Sequence, residues 1–216
     1  MPHTTEVKEQ ERVALQASLD AEKTQAERNR LGQFATPTAL AEDILRYAAA
    51  LLPPATKVRF LDPAIGTGSF YSALLKVFPK KRIAEAVGFE LDPHYGRPAA
   101  QLWKHTGLTL KLADFTHAEP SPRFNVLICN PPYVRHHHLH NGEKTRLQFR
   151  TQQASGVKIS GLAGLYCHFL GLSYAWMAEG GIAGWLIPSE FMDVNYGQAV
   201  KRYLLDRVRL LHIHRF

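Results

Sequence analysis

The stretch Asp62-Pro63-Ala64-Ile65-Gly66-Thr67-Gly68-Ser69-Phe70 decides the fold. Ahead of it lies the apolar run Val58 to Leu61, and from Ser69 to Phe78 apolar residues recur at helical spacing, so the order is strand, glycine turn, helix. Two glycines one residue apart let a ligand approach the backbone with no side chain in the way. Working outward, Ala86 to Phe89, Leu108 to Leu112, Val126 to Cys129, Ile182 to Ile187 and Arg209 to Ile213 read as further strands. Around them Ala39 to Leu52, His94 to His105, Leu162 to Ala178 and Tyr196 to Leu205 carry the helical period. Strands alternating with helices predict an α/β fold with a doubly wound, mostly parallel sheet. Ligands of such sheets bind in the crevice outside the carboxyl ends of the strands.

The residues at those ends suit one ligand. Glu90 closes the second strand, where its carboxylate can accept both hydroxyl hydrogens of a ribose. Asp114-Phe115 follows the third strand and offers an acceptor for an adenine amino group beside a ring on which a purine can stack. The Gly-Lys-Ser/Thr ending of a triphosphate loop is absent, and Asp62 would repel a phosphate while pairing with a cationic amino-acid head. The predicted ligand is a nucleoside carrying methionine.

Asn130-Pro131-Pro132-Tyr133 follows the fourth strand, next to that ligand. The exocyclic nitrogen of adenine is a poor nucleophile because its lone pair is delocalised into the ring. The Asn130 side-chain oxygen and the Pro131 carbonyl can accept its two hydrogens and favour a tetrahedral nitrogen. Consecutive prolines hold that carbonyl still, and Tyr133 offers a face to a base that has left the duplex. No metal or strong general base is required.

Bulk properties narrow the setting. The chain has 216 residues and a formal charge of +7, enough length for one sizeable domain. The basic excess lies in Val134 to His168 and Lys201 to Phe216, each with five Lys/Arg against one acid, which suits a polyanionic partner. Cys129 and Cys167 sit in apolar stretches and read as core residues of a chain in a reducing cytoplasm. No run of eighteen apolar residues or signal core is present, so the expectation is a soluble protein with no membrane partner. Residues 1–31 read as an exposed helical extension without chemistry, and Arg135 to Ser160 as a long loop whose Arg135, Lys144, Arg146 and Arg150 are candidate DNA contacts. The adjacent side chains of His136 to His138 diverge, and no downstream carboxylate or cysteine completes a tetrahedral set with them and His140, so no metal is expected; His212 and His214 read as neighbours on one strand face, and the three tryptophans as core.

Gly32-Gln33-Phe34-Ala35-Thr36-Pro37, then Asp62 to Gly68, Glu90, Asp114-Phe115 and Asn130 to Tyr133 come in an order that resembles the gamma group of restriction-modification adenine-N6 DNA methyltransferases. Leu165 to Leu170, a Gly180-Gly181 turn and Ile187-Pro188-Ser189 match later landmarks of that family. The resemblance spans Gly32 to the C-terminus and implies a class I, Rossmann-like fold with S-adenosylmethionine as cofactor and DNA as partner. It implies that Phe34, Thr36 and Pro37 cover the methionine end, that Asp62 and Ala64 through Gly68 line the site, and that Glu90 holds the ribose with Leu91 beside the adenine. Asp114 and Phe115 then read the adenine, and Asn130 borders cofactor and base alike. Family members add a last antiparallel strand and a large DNA-reading domain, neither of which the sequence carries before Phe216, so the expectation is residues 32–216 as the catalytic domain without its last strand or target-recognition domain. A C-terminal reader or separate specificity subunit is then the expected partner. Two other readings stay open: a cofactor-binding or split-enzyme fragment, and a methyltransferase acting on protein glutamine or an RNA base amino group.

Overall fold

Five strands, β1 (Val58–Asp62), β2 (Ile83–Glu90), β3 (Leu108–Leu112), β4 (Phe124–Cys129) and β5 (Met177–Trp185), form one sheet in the computed structural model, which describes residues 2–215. Every pairing is parallel and the order is β3-β2-β1-β4-β5. From β1 the chain steps outward to β2 and β3, then returns past β1 to β4 and β5, so the winding reverses between β1 and β4. That reversal opens a crevice at the carboxyl ends of these two strands, where Asp62 and Asn130 stand.

Both faces of the central strands are buried, as a parallel sheet requires. Phe60, Val126 and Ile128 pack beneath α3 (Thr38–Leu51), α4 (Ser69–Val77) and α5 (Pro93–Leu102), with Leu45, Leu74 and Trp103 from the helices. Leu61, Val87, Phe89 and Leu127 face the other way against Phe115, Leu147, Phe169 and Trp176.

Five sequence expectations are corrected. The amino-terminal helix α1 (Pro2–Ala21) is not an exposed extension: it packs on α4 and α5, burying Leu19 and the Glu9–Arg12 ion pair. A second short helix, α2 (Gln25–Leu31), follows behind a capping box of Thr24 and Glu27. The 135–160 stretch is not a loop but carries α6 (Asn141–Ser155), whose buried stripe is Leu147, Thr151 and Ser155, spaced four apart and mostly polar, so hydropathy does not register it. Gly180 and Gly181 lie inside β5, where Phe124↔Met177 and Val126↔Ile182 pairing leaves extra residues in β5, a bulge rather than a turn. Arg209 to Ile213 forms no strand: among the described residues no neighbouring strand pairs its backbone, and the segment runs exposed with the His212 ring 5.3 Å from that of Tyr47. The His212 and His214 rings lie nearly parallel at 6.3 Å, but on irregular chain rather than on a strand face. The carboxyl-terminal helical pattern resolves into α7 (Leu165–Ser173) and α8 (Gln198–Arg202).

Candidate active site

A crevice of about 680 Å³ lies across the strand ends, within the range of small-molecule sites (~300–1,000 Å³). Asp62, at the end of β1, is buried; its Oδ1 accepts the Ala64 N–H at 3.1 Å while Oδ2 has no partner. Burial, with Glu90 nearby, pushes this carboxyl up to about 8, the Ala64 N–H offsetting part of the effect. Glu90, at the end of β2, accepts the N–H groups of Gly66 (2.9 Å) and Asp92 (2.8 Å), and burial raises its pKa as well. Gly66 holds φ +55°, and a Cβ placed there would meet nothing within 4 Å, so the loop presents bare backbone to open space.

Asn130 is fixed by two bonds. Its Nδ2 donates to the Phe34 carbonyl at 3.0 Å and the Thr36 Oγ1 at 3.1 Å. A carbonyl only accepts, so the amide has one orientation, and Oδ1 is left buried without a partner. The segment that supplies these acceptors crosses directly over the Pro-Pro-Tyr turn: Tyr133 N–H donates to the Gly32 carbonyl at 3.3 Å, and a Cβ on Gly32 (φ +64°) would fall 2.2 Å from the Tyr133 nitrogen. The Phe34 ring stacks on Tyr133 at 5.4 Å and is itself 47 % exposed, while the Tyr133 hydroxyl donates to the Leu186 carbonyl.

The remaining candidates fall into distinct places. Ala64, Gly66, Leu91, Pro132 and Thr36 border the crevice, and Pro131 is buried behind it. Pro37 starts α3 and lies off the crevice wall, and Gly68 caps α4. Asp114 borders the crevice but spends Oδ1 on the Thr116 N–H and hydroxyl and shares Oδ2 with His117 at 2.9 Å. Phe115 lines it from within an aromatic cluster with Phe89, Phe169 and Trp176. Arg146 binds Glu143 and the Thr116 carbonyl, and Arg150 the Ala118 carbonyl and Glu119, so both staple α6 to the segment after β3. Arg135 and Lys144 make no ion pair with a carboxylate among the described residues. Sequence reasoning missed Gln16, Asp20, Lys23 and Glu143 on the wall, since no motif marks them and only tertiary packing brings them there. Among the described residues no group of three His, Cys, Asp or Glu is placed to hold a metal, and no helix is long and apolar enough to cross a membrane.

Comparison with solved structures agrees with this architecture. A protein assigned as a class I S-adenosylmethionine-dependent methyltransferase from Listeria monocytogenes superposes with a TM-score of 0.68 at 17% identity, over 91% of this chain and 58% of that one. The methyltransferase subunit of a type I restriction-modification system from Streptococcus thermophilus gives 0.64 at 17% identity, over 80% of this chain and 38% of that one. The fold is that of the class I S-adenosylmethionine-dependent methyltransferases. Residues 97–216 match the Eco57I restriction-modification methylase family, and the chain belongs to it. The type II methyltransferase M.XamI of Xanthomonas campestris pv. amaranthicola is 32% identical over 86% of this chain and 35% of its own length. The chain spans about a third of the length of the curated relatives it matches. The crevice fits the S-adenosylmethionine for which this fold class is named: an unpartnered buried carboxyl for a cationic head, and a bare glycine loop bonded to an acidic strand end.

Proposed function

We propose that the chain transfers the methyl group of S-adenosylmethionine to the exocyclic N6 of adenine in DNA, as the catalytic part of a restriction-modification enzyme. The observation that carries this reading is the orientation of Asn130: both donors of its amide are held by Phe34 and Thr36, and the buried Oδ1 waits for a donor. An amino group brings two hydrogens; Oδ1 takes one and the Pro131 carbonyl the other. Drawing both hydrogens toward acceptors localises the nitrogen lone pair for attack. When bound, the cofactor supplies a methyl group on a sulfonium, with a neutral thioether as leaving group. The free oxygen of Asp62 receives the cationic amino-acid head, Glu90 the ribose, and Leu91, Asp114 and Phe115 the adenine ring, with Phe34 and Thr36 over the methionine end.

DNA as the substrate rests on the restriction-modification family and on the basic surface. Arg135 and Lys144, with the Lys201 to Arg215 segment, are the cations assigned to the phosphate backbone. The test is Asn130→Ala, with methyl transfer to unmethylated DNA and cofactor affinity measured side by side. Transfer is expected to fall on the order of 10²- to 10³-fold while cofactor affinity falls far less, because the lost contact belongs to the transition state. Transfer at the parent rate would demote Asn130 to a turn residue.

A further inference from the structure

The crevice wall carries six carboxyl side chains, those of Asp20, Asp62, Glu90, Asp92, Asp114 and Glu143, and among the described residues one cation, Lys23. Lys23 stands between α1 and α2. Its ammonium is paired with Asp92 Oδ2, lies 3.1 Å from Gln33 Oε1 and 4.8 Å from the centre of the Tyr95 ring. Those two bonds use two of three donors, and the side chain is only 16% exposed. Both partners tie it to the site: Asp92 follows Glu90 at the end of β2, and Gln33 precedes the Phe34 whose carbonyl holds Asn130. The helix that delivers Lys23 is itself seated on the glycine loop, with Thr67 Oγ1 donating to Gln16 Oε1 at 2.6 Å and the Tyr95 hydroxyl to Asp20 Oδ1 at 2.8 Å.

Asp20, Asp114 and Glu143 are paired from behind the wall by Arg28, His117 and Arg146, which leaves Lys23 as the cation on the wall itself to meet the carboxylate that an amino-acid end brings beside its ammonium. We propose that Lys23 is a cofactor-binding residue, the counter-charge for the carboxylate of the cofactor's amino-acid end, and that the α1–α2 turn is thereby part of the site. This assignment rests on the reading of the crevice as the S-adenosylmethionine site.

The test compares two ligands on one variant. S-adenosylmethionine and its decarboxylated form share adenosine, sulfonium and amine and differ in the carboxylate alone. Calorimetric titration of Lys23→Met should show affinity for S-adenosylmethionine about tenfold to a hundredfold weaker, as for a lost charge-assisted bond. Affinity for the decarboxylated form should be nearly unchanged, and Lys23→Arg should recover part of the loss. Because both ligands meet the same protein, any loosening of α1 cancels in the comparison. Equal weakening of both ligands would overturn the assignment and leave Lys23 as a tether for Asp92; no weakening would remove it from the site. Wild-type protein that bound neither ligand would overturn the cofactor reading, and this assignment with it.

Discussion

At Asp62 a carboxyl with one bonded and one unpartnered oxygen sits in the interior, pushed up to about 8 mainly by burial. Below that value the ligand-free protein carries it as the neutral acid, and pairing with a cationic head favours its ionised form. Cofactor binding is therefore expected to release a proton and to tighten as pH rises from 6 to 7.5. Titration in two buffers of different ionisation enthalpy checks this, and pH-independent binding without proton release would contradict it. Stability runs the opposite way: a raised folded-state pKa contributes stability at low pH that is lost as pH climbs through 8. Asp62→Asn should accordingly unfold at a higher temperature than the parent at pH 8 in the absence of cofactor, while binding cofactor more weakly. Asp62 and Asn130 were legible as site residues because each follows a strand in a motif with its own chemistry. The anchoring of the Asn130 amide by Phe34 and Thr36 was not, since it joins residues more than ninety positions apart.

Helices α1 and α6 are the elements that hydropathy misjudged, and both are held by polar contacts. In α1 the buried Glu9–Arg12 pair also bonds Thr38 and Thr67. Arg12→Ala would leave Glu9 buried without its cation, and is expected to cost roughly 3–5 kcal/mol, the range for breaking a buried pair from one side. Urea unfolding measures it, and an unchanged midpoint would show that α1 does not stay seated. In α6 the guanidinium groups of Arg146 and Arg150 are committed to the segment after β3. Replacing Arg146 should lower stability and leave the salt dependence of DNA binding unaltered. Replacing Arg135 or Lys144 should reduce the slope of log affinity against log salt by about 1 each. The opposite pattern would move the DNA path onto the other face of α6.

The whole molecule places one acidic crevice at the winding reversal of a parallel sheet, with its basic excess in the 134–168 and 201–216 stretches. That division suits a cationic cofactor inside and a polyanion outside. The alternation of strands and helices made the sheet legible. The expected sixth strand failed because composition favours extended chain, but a strand exists only where a neighbour pairs with it, and among the described residues Arg209 to Ile213 has none. The wall contributed by α1 was illegible because thin apolar spacing in a charged helix does not say what it packs against. The acceptor atom can be read from the product. The chain is incubated with methyl-tritiated S-adenosylmethionine and unmethylated DNA, the DNA is digested to nucleosides, and the label is followed by chromatography. Label in N6-methyldeoxyadenosine, lost with Asn130→Ala, is the expected result; label in a methylated cytosine, or in added protein or RNA but not DNA, would contradict the account.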